Sequence, residues 1–253
     1  MEEPPFRRLA GAARGGKPQA GVVYTGTVAT WTAPEYHPAF EEYCETIFEL
    51  AEDDLDVIQA RIADRLEISR PAVSEMIRRM QDQGLLEGGR RIKLTDDGMK
   101  LAKQVVRRHR LAERFLTDVL GLSWAEAHAE AGKWEHVLSP RVEEAMSKLL
   151  GQPTTCPHGN PIPGSGYSAP ESVALTDVAE GEAFVVSRIT EELEFVDGVL
   201  DFLEDSSICP GNSGIVMSNP DDGATTVSID GESVEIDHYT SERLLVVPVP
   251  AGA

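Results

Sequence analysis

Between Gly151 and Ser172 the chain reads GQPTTCPHGNPIPGSGYSAPES, and the spacing of its apolar residues changes across that segment. Upstream, apolar residues recur every three or four positions, the period of an amphipathic helix. Downstream they gather in short runs bounded by Gly and Asp-Gly, the pattern of strands and turns. Proline lacks an N–H and glycine tolerates any backbone conformation, so so dense a mixture reads as a linker. The chain therefore joins a mainly α part to a small β part: EAFVVSRI, SGIVMSN, ATTVSIDGESVEID and RLLVVPV are the strand-like runs, consistent with a small barrel or sandwich. Residues 1–34 show no period and read as a disordered tail.

The helical part has an order of its own. PAFEEYCETIFELAE (38–52) and VIQARIADRL (57–66) are predicted helices, and the short turn EIS leads into RPAVSEMIRRMQDQ (70–83). Ser69 is the expected N-cap, Pro71 sits in the first turn where its missing N–H does no harm, and Gly84 ends the helix. LLEGGRRIKLT then predicts a hairpin around Gly88-Gly89. Helix, tight turn, helix and basic hairpin is the order of a winged helix-turn-helix, although a small helical domain with a hairpin has the same outline. In the DNA-binding reading Ser69, Arg70, Pro71, Ala72, Ser74 and Glu75 occupy the groove-facing end of the third helix. Arg78, Arg79, Arg90 and Arg91 are the candidates for phosphate contacts. A long helix follows from about Asp96 to Val119, Gly121 breaks it, Ser123 and Glu126 form a capping box, and SPRVEEAMSKLL begins another helix.

A net charge of −20 argues against nucleic acid until it is divided. From Leu175 onward 17 acidic residues face two basic ones, whereas Arg70 to Arg110 holds 11 basic and five acidic residues. The acid lies in the β part and a basic island survives where DNA would be read. Cys44, Cys156 and Cys209 are far apart and not spaced for zinc, so they read as reduced thiols. No apolar run approaches bilayer length and the first 34 residues lack a leader's apolar segment, so a cytoplasmic protein without a membrane partner is expected.

One stretch, AHAEAGKWEHVLSP, places His128, Glu135 and His136 two helical turns apart, near one face. RRHRLAERFL carries His109 and Glu113 at i and i+4, and the first helix carries Glu42 and Glu45 at i and i+3. Imidazole with carboxylate suits first-row divalent ions such as Mn²⁺, Fe²⁺, Co²⁺ and Zn²⁺. Taken singly, each pair also fits an ordinary solvated helix face. Helical His/Glu clusters also build hydrolytic and di-metal enzymes, but here no nucleophile is evident and the basic hairpin would be left without a role.

RRHRLAERFLTDVLGL, EAGKWEHVLSPRVEEAM and CPHGNPIPG closely resemble the diphtheria-toxin-repressor family of iron- and manganese-dependent transcriptional repressors, from about Phe40 to Gly164. The resemblance implies a winged helix-turn-helix domain (35–107), a helical metal-binding and dimerisation domain (108–152), a linker (153–174) and an acidic SH3-like β-domain (175–253). It implies a metal-loaded homodimer on operator DNA and no enzymatic activity. His109, Glu113 and His128 match the family's ancillary metal site, and Glu42, Glu135 and His136 match its primary site. Iron-responsive members place Met at Glu42 and Cys at Gly132, while manganese-responsive members have acidic residues matching Glu42 and Glu45 but a Glu at Gly132. Ligation without thioether or thiolate favours Mn²⁺ over Fe²⁺, with iron dependence as the alternative. Glu191, Glu192 and Glu194 lie where some members lend a β-domain carboxylate, but on so acidic a surface they read as solvated. Without metal, Glu42 and Glu45 are expected to face Glu113 and Glu135 with mutual repulsion.

Overall fold

The computed structural model describes residues 38–249, apart from Arg90 and Asp222. The expected tail, and Arg90 among the phosphate-contact candidates, lie outside the described residues. Helices α1 (Pro38–Glu52), α2 (Gln59–Arg65) and α3 (Arg70–Asp82) come first, within a residue or two of their predicted limits. Ser69 caps α3 by accepting from the Ala72 N–H at 3.4 Å, and Gly84 leaves the helix at φ +73°. A left-handed residue there costs glycine nothing. The hairpin is short: one bridge joins Leu86 to Leu94. Phe40, Ile47, Ile62, Val73, Ile77, Leu85 and Val105 are buried in one apolar cluster beneath these elements. Truncating Ile62, fully buried, to Ala is expected to cost roughly 2–5 kcal/mol.

Helix α4 (Asp96–Asp118) runs from this core, and α5 (Trp124–Trp134) and α6 (Pro140–Leu149) pack on its second half. The Ser123–Glu126 capping box is formed in both directions. The β part is one antiparallel sheet, made of β1 (Val173–Ala174), β2 (Ala183–Ile189), β3 (Ser213–Ser218), β4 (Thr225–Ile229), β5 (Glu232–Ile236) and β6 (Leu244–Val249). Its strand order is β1-β6-β2-β3-β4-β5. Alternate residues such as Phe184, Val186, Val216, Val227 and Val246 point into a second core that also receives Trp124 from α5. Three short helices went unread in the sequence: α7 (Glu191–Glu194), α8 (Val199–Asp205) and α9 (His238–Arg243). Each is too short to show a period.

The Pro/Gly-rich segment differs from the linker it suggested. Cys156, His158, Asn160 and Ile162 are buried within it, Thr155 bridges Pro161, and the Ile189 N–H donates to the His158 carbonyl at 2.9 Å. Proline fixes the backbone angle and Gly159 (φ +90°) supplies a turn that leaves no room for a β-carbon, 2.3 Å from the Ser187 carbonyl oxygen. This composition specifies a rigid, packed loop.

Candidate metal centre

The i, i+4 spacing on α4 brings His109 and Glu113 to one buried face, and α5 lays His128 against them. His109 Nε2 lies 3.2 Å from Glu113 Oε1, and His128 Nδ1 lies 3.0 Å from the same oxygen. The packed loop and α7 close this cluster from the other side. His158 Nδ1 is 3.0 Å, and His128 Nδ1 3.1 Å, from Glu194 Oε2, whose other oxygen accepts from Asn160 at 2.6 Å. The His158–Glu194 approach lacks the alignment of a hydrogen bond, so both ring nitrogens of this fully buried histidine have no hydrogen-bond partner. Donor atoms of Glu113, Cys156 and His158 lie within 4.8 Å of one another.

A second cluster forms where α1 meets the end of α5. His136 Nδ1 is 2.6 Å from Glu41, and its Nε2 is 2.6 Å from Glu42 Oε1 and 3.2 Å from Glu135 Oε1. Glu135 is the C-cap of α5. The backbone carbonyls there carry partial negative charge, which favours a cation. Glu45, His109 and Glu135 make a further trio between the two clusters. His109 belongs to both sides: its Nδ1 approaches Glu135 Oε2 at 2.5 Å. Glu45 Oε1 is buried without a partner.

The electrostatics are those of a site short of positive charge. Burial disfavours a charged His109, but the Glu113 and Glu135 carboxylates outweigh it and hold the ring well above its ordinary pKa. His128 is also disfavoured by burial, yet its bonds to Glu113 and Glu194 raise it to about 10. Hydrogen bonds to Glu41 and Glu42 raise His136 to about 10. Burial and the neighbouring charges of Glu135 and Glu49 push Glu45 well up. Each of these shifts favours the protonated form, which offsets the negative charge gathered by the carboxylates.

The predicted metal residues thus converge, but in an arrangement that corrects the expected facing of like charges. Glu42 and Glu45 do approach Glu135, with His136 between Glu42 and Glu135, whereas Glu113 lies among histidines of the other cluster. Glu191 and Glu194, read as solvated, are buried. Burial makes sense of them: Arg110 reaches Glu191 at 2.6 Å, and histidines meet Glu194. Sequence reasoning missed Glu41, Cys156, His158 and the place of Glu194. The motif CPHGNPIPG was visible, but nothing in its spacing indicated which helix it would meet.

At Gly132 a β-carbon would meet nothing within 4 Å. The residue lines a cavity of about 190 Å³ shared with Glu42, Glu45, His109 and Glu135. On α3, Ser69, Arg70, Pro71, Ala72, Glu75, Arg78 and Arg79 are exposed and Ser74 is half-buried, opposite buried Val73, Ile77 and Met80. Arg78 lies 3.5 Å from Glu75, and the Arg79 guanidinium sits 5.6 Å over the Phe40 ring. Arg91 is exposed on the hairpin.

Known proteins resemble this chain in sequence and in overall structure. Residues 36–90 match the iron dependent repressor N-terminal DNA binding domain, and residues 95–164 match the iron dependent repressor metal binding and dimerisation domain. The iron-dependent repressor IdeR of Mycobacterium tuberculosis is 40% identical over 222 residues, 83% of this chain and 96% of the relative. The chain belongs to the diphtheria-toxin-repressor family. Within that family, the diphtheria toxin repressor of Corynebacterium diphtheriae is 36% identical over 207 residues, covering 78% of this chain and 91% of the relative. A manganese-dependent transcriptional repressor in complex with manganese has a similar structure, with TM-score 0.75 and 31% identity over 83% of this chain and all of that one. The structure of the manganese regulator SloR aligns with TM-score 0.66 and 29% identity, covering 83% of this chain and 98% of that chain. Family structures thus share the helical region and small antiparallel sheet. Iron- and manganese-dependent members both lie among the relatives.

Proposed function

We propose that this chain is a divalent-metal-dependent transcriptional repressor, acting in the cytoplasm as a homodimer on double-stranded operator DNA, with Mn²⁺ favoured over Fe²⁺. The observation that carries the reading is the convergence of α1, which belongs to the DNA-binding part, with α4 and α5 at two clusters of histidines and carboxylates. A bound divalent cation supplies two positive charges where Glu42, Glu45 and Glu135 approach one another. Glu42, Glu135 and His136 are the proposed ligands of the outer position. Glu45, with its partnerless buried oxygen beside Glu135, is proposed to stand in for the donor that Gly132 lacks. His109, Glu113 and His128 are proposed to hold the inner position. Outer donors of oxygen and nitrogen alone support manganese; the 40% identity to an iron-dependent repressor supports iron as the second reading.

The residues' own work is to tie α1 to the dimerisation helices and so set the separation of two recognition helices in the dimer. Ser69, Arg70, Pro71, Ala72, Ser74 and Glu75 would face the groove, and Arg78, Arg79, Arg90 and Arg91 the phosphates. Few of these side chains are long enough for bidentate base contacts, which favours shape and water-mediated readout. Val137, Val142 and Leu149 are exposed around α6 and suit a face buried by a second copy.

DNA binding tests the reading: the chain's own upstream region as probe, with Mn²⁺, anaerobic Fe²⁺ and Zn²⁺ titrated against a chelated control at fixed salt. Operator affinity is expected to rise at least tenfold with the physiological metal, about 1.4 kcal/mol, and the gain to disappear in His136→Ala. Equal affinity in chelator and metal overturns it.

A further inference from the structure

Between them, Glu191, Glu192 and Glu194 of the four-residue helix α7 make polar contacts in two directions. Toward the inner cluster, Glu194 meets His128 at 3.1 Å and His158 at 3.0 Å. Toward the helix-turn-helix, the Glu191 carbonyl accepts from Arg65 of α2 at 3.1 Å. Glu192 lies 3.7 Å from Arg61 of α2 and accepts from Arg243 at 2.6 Å, and its N–H donates to Asp53 at 3.2 Å. Phe195, the next residue, carries both contacts on one ring: the Arg65 guanidinium lies 3.7 Å over it, and the His128 ring meets it edge-on with centroids 5.1 Å apart. Leu193 anchors the turn in the β core, fully buried.

We propose that α7 is the lever by which the β-domain reports occupation of the inner cluster to the DNA-binding domain, through Glu192–Arg61 and the Arg65 stack on Phe195. The proposal rests on the metal-dependent reading above and adds a second route beside α1. The physical reason is linkage. Glu194 joins the inner cluster only while the β-domain is docked, so whatever binds there favours docking, and docking clamps α2. Since α2 precedes α3 by a four-residue turn, clamping it steadies the recognition helix. A turn held on both faces by charge and packing moves as one piece, so restraint at Glu194 reaches Arg61 without a flexible intermediary.

Glu192→Lys separates this route from bulk electrostatics. It places a third cation beside Arg61 and Arg243, and it adds two positive charges to a chain that must approach DNA. Electrostatic attraction alone predicts tighter operator binding; the lever predicts weaker binding in metal, by at least tenfold, with little change in chelator. Glu192→Gln, which keeps the side-chain volume, should fall between. Amide hydrogen exchange of the full chain with and without Mn²⁺ supplies a readout free of DNA: Mn²⁺ should slow exchange across α2 in the wild type and not in Glu192→Lys, while calorimetry gives the same metal stoichiometry for both. Equal α2 protection in the two proteins, or operator binding by Glu192→Lys as tight as wild type, overturns the lever and leaves the metal-dependent reading standing. A wild type that takes up no metal overturns both.

Discussion

The outer cluster is built by two segments, α1 and the end of α5, and the Glu42 side chain keeps 45% of its exposure. The inner cluster draws on four, α4, α5, the packed loop and α7, and no side chain in it exceeds 15%. For the two metal positions proposed above, the difference separates two tasks. An open position held by few elements exchanges with solvent, which suits a sensor. A closed position must wait for the β-domain and loop to move, which suits a fastening. His109 belongs to both, with Nδ1 toward Glu135 and Nε2 toward Glu113 and His128.

His109→Ala should therefore have the largest effect, since it removes a donor from one cluster and the hydrogen-bonded support of Glu135 in the other. Calorimetric titration should show both affinities falling, the outer one by roughly 10–100-fold, the usual loss when a supporting partner of a ligand is removed. A change confined to the inner site would mean that the clusters are independent. Next in size come the paired variants Glu42→Gln and Glu194→Gln, each expected to weaken its own site about tenfold and spare the other. If both weaken the same site, the division between open and closed collapses.

Acidity tests the same contrast with a smaller effect. His128 and His136 are raised from the ordinary imidazole value of 6.5 to about 10 by their carboxylate partners, so in metal-free protein they bind protons more tightly folded than unfolded. The stability they contribute is complete below about pH 6.5 and is lost as pH climbs through about 10. Thermal unfolding in chelator should show Tm falling across that window, and Mn²⁺ should flatten the fall because bound ligands are already deprotonated. A pH-independent Tm in chelator would contradict these shifts. The smallest effect belongs to Gly132→Ala. A glycine within α5 and with open space at its β-position costs about 0.5–1 kcal/mol relative to Ala. Urea unfolding should find the variant more stable by that amount with metal stoichiometry unchanged; a loss of metal would show that the space is needed.

Much of the helical half was legible because its causes are local. Ser69, Pro71, Gly84, Ser123 and Glu126 act within a few residues of themselves, and each predicted boundary lies close to the observed one. The same is true of the Asp230-Gly231 turn between β4 and β5. His109 with Glu113 was visible for the same reason, since one helical turn sets their separation. The sequence by itself therefore determined the longer helices and the strands, the local excess of basic residues between Arg70 and Arg110, and the kinds of donor atom available.

What only the tertiary structure decided is which donors meet. Glu194 lies 66 positions from His128 and Glu41 lies 95 from His136, and no periodicity relates such residues. Their encounter depends on the burial of two apolar cores, one under α1–α4 and one under the sheet, which share no local signal. The same burial turned an acidic surface reading wrong at Glu191 and Glu194: charge composition reports how many carboxylates there are, and packing decides which of them must find a cation.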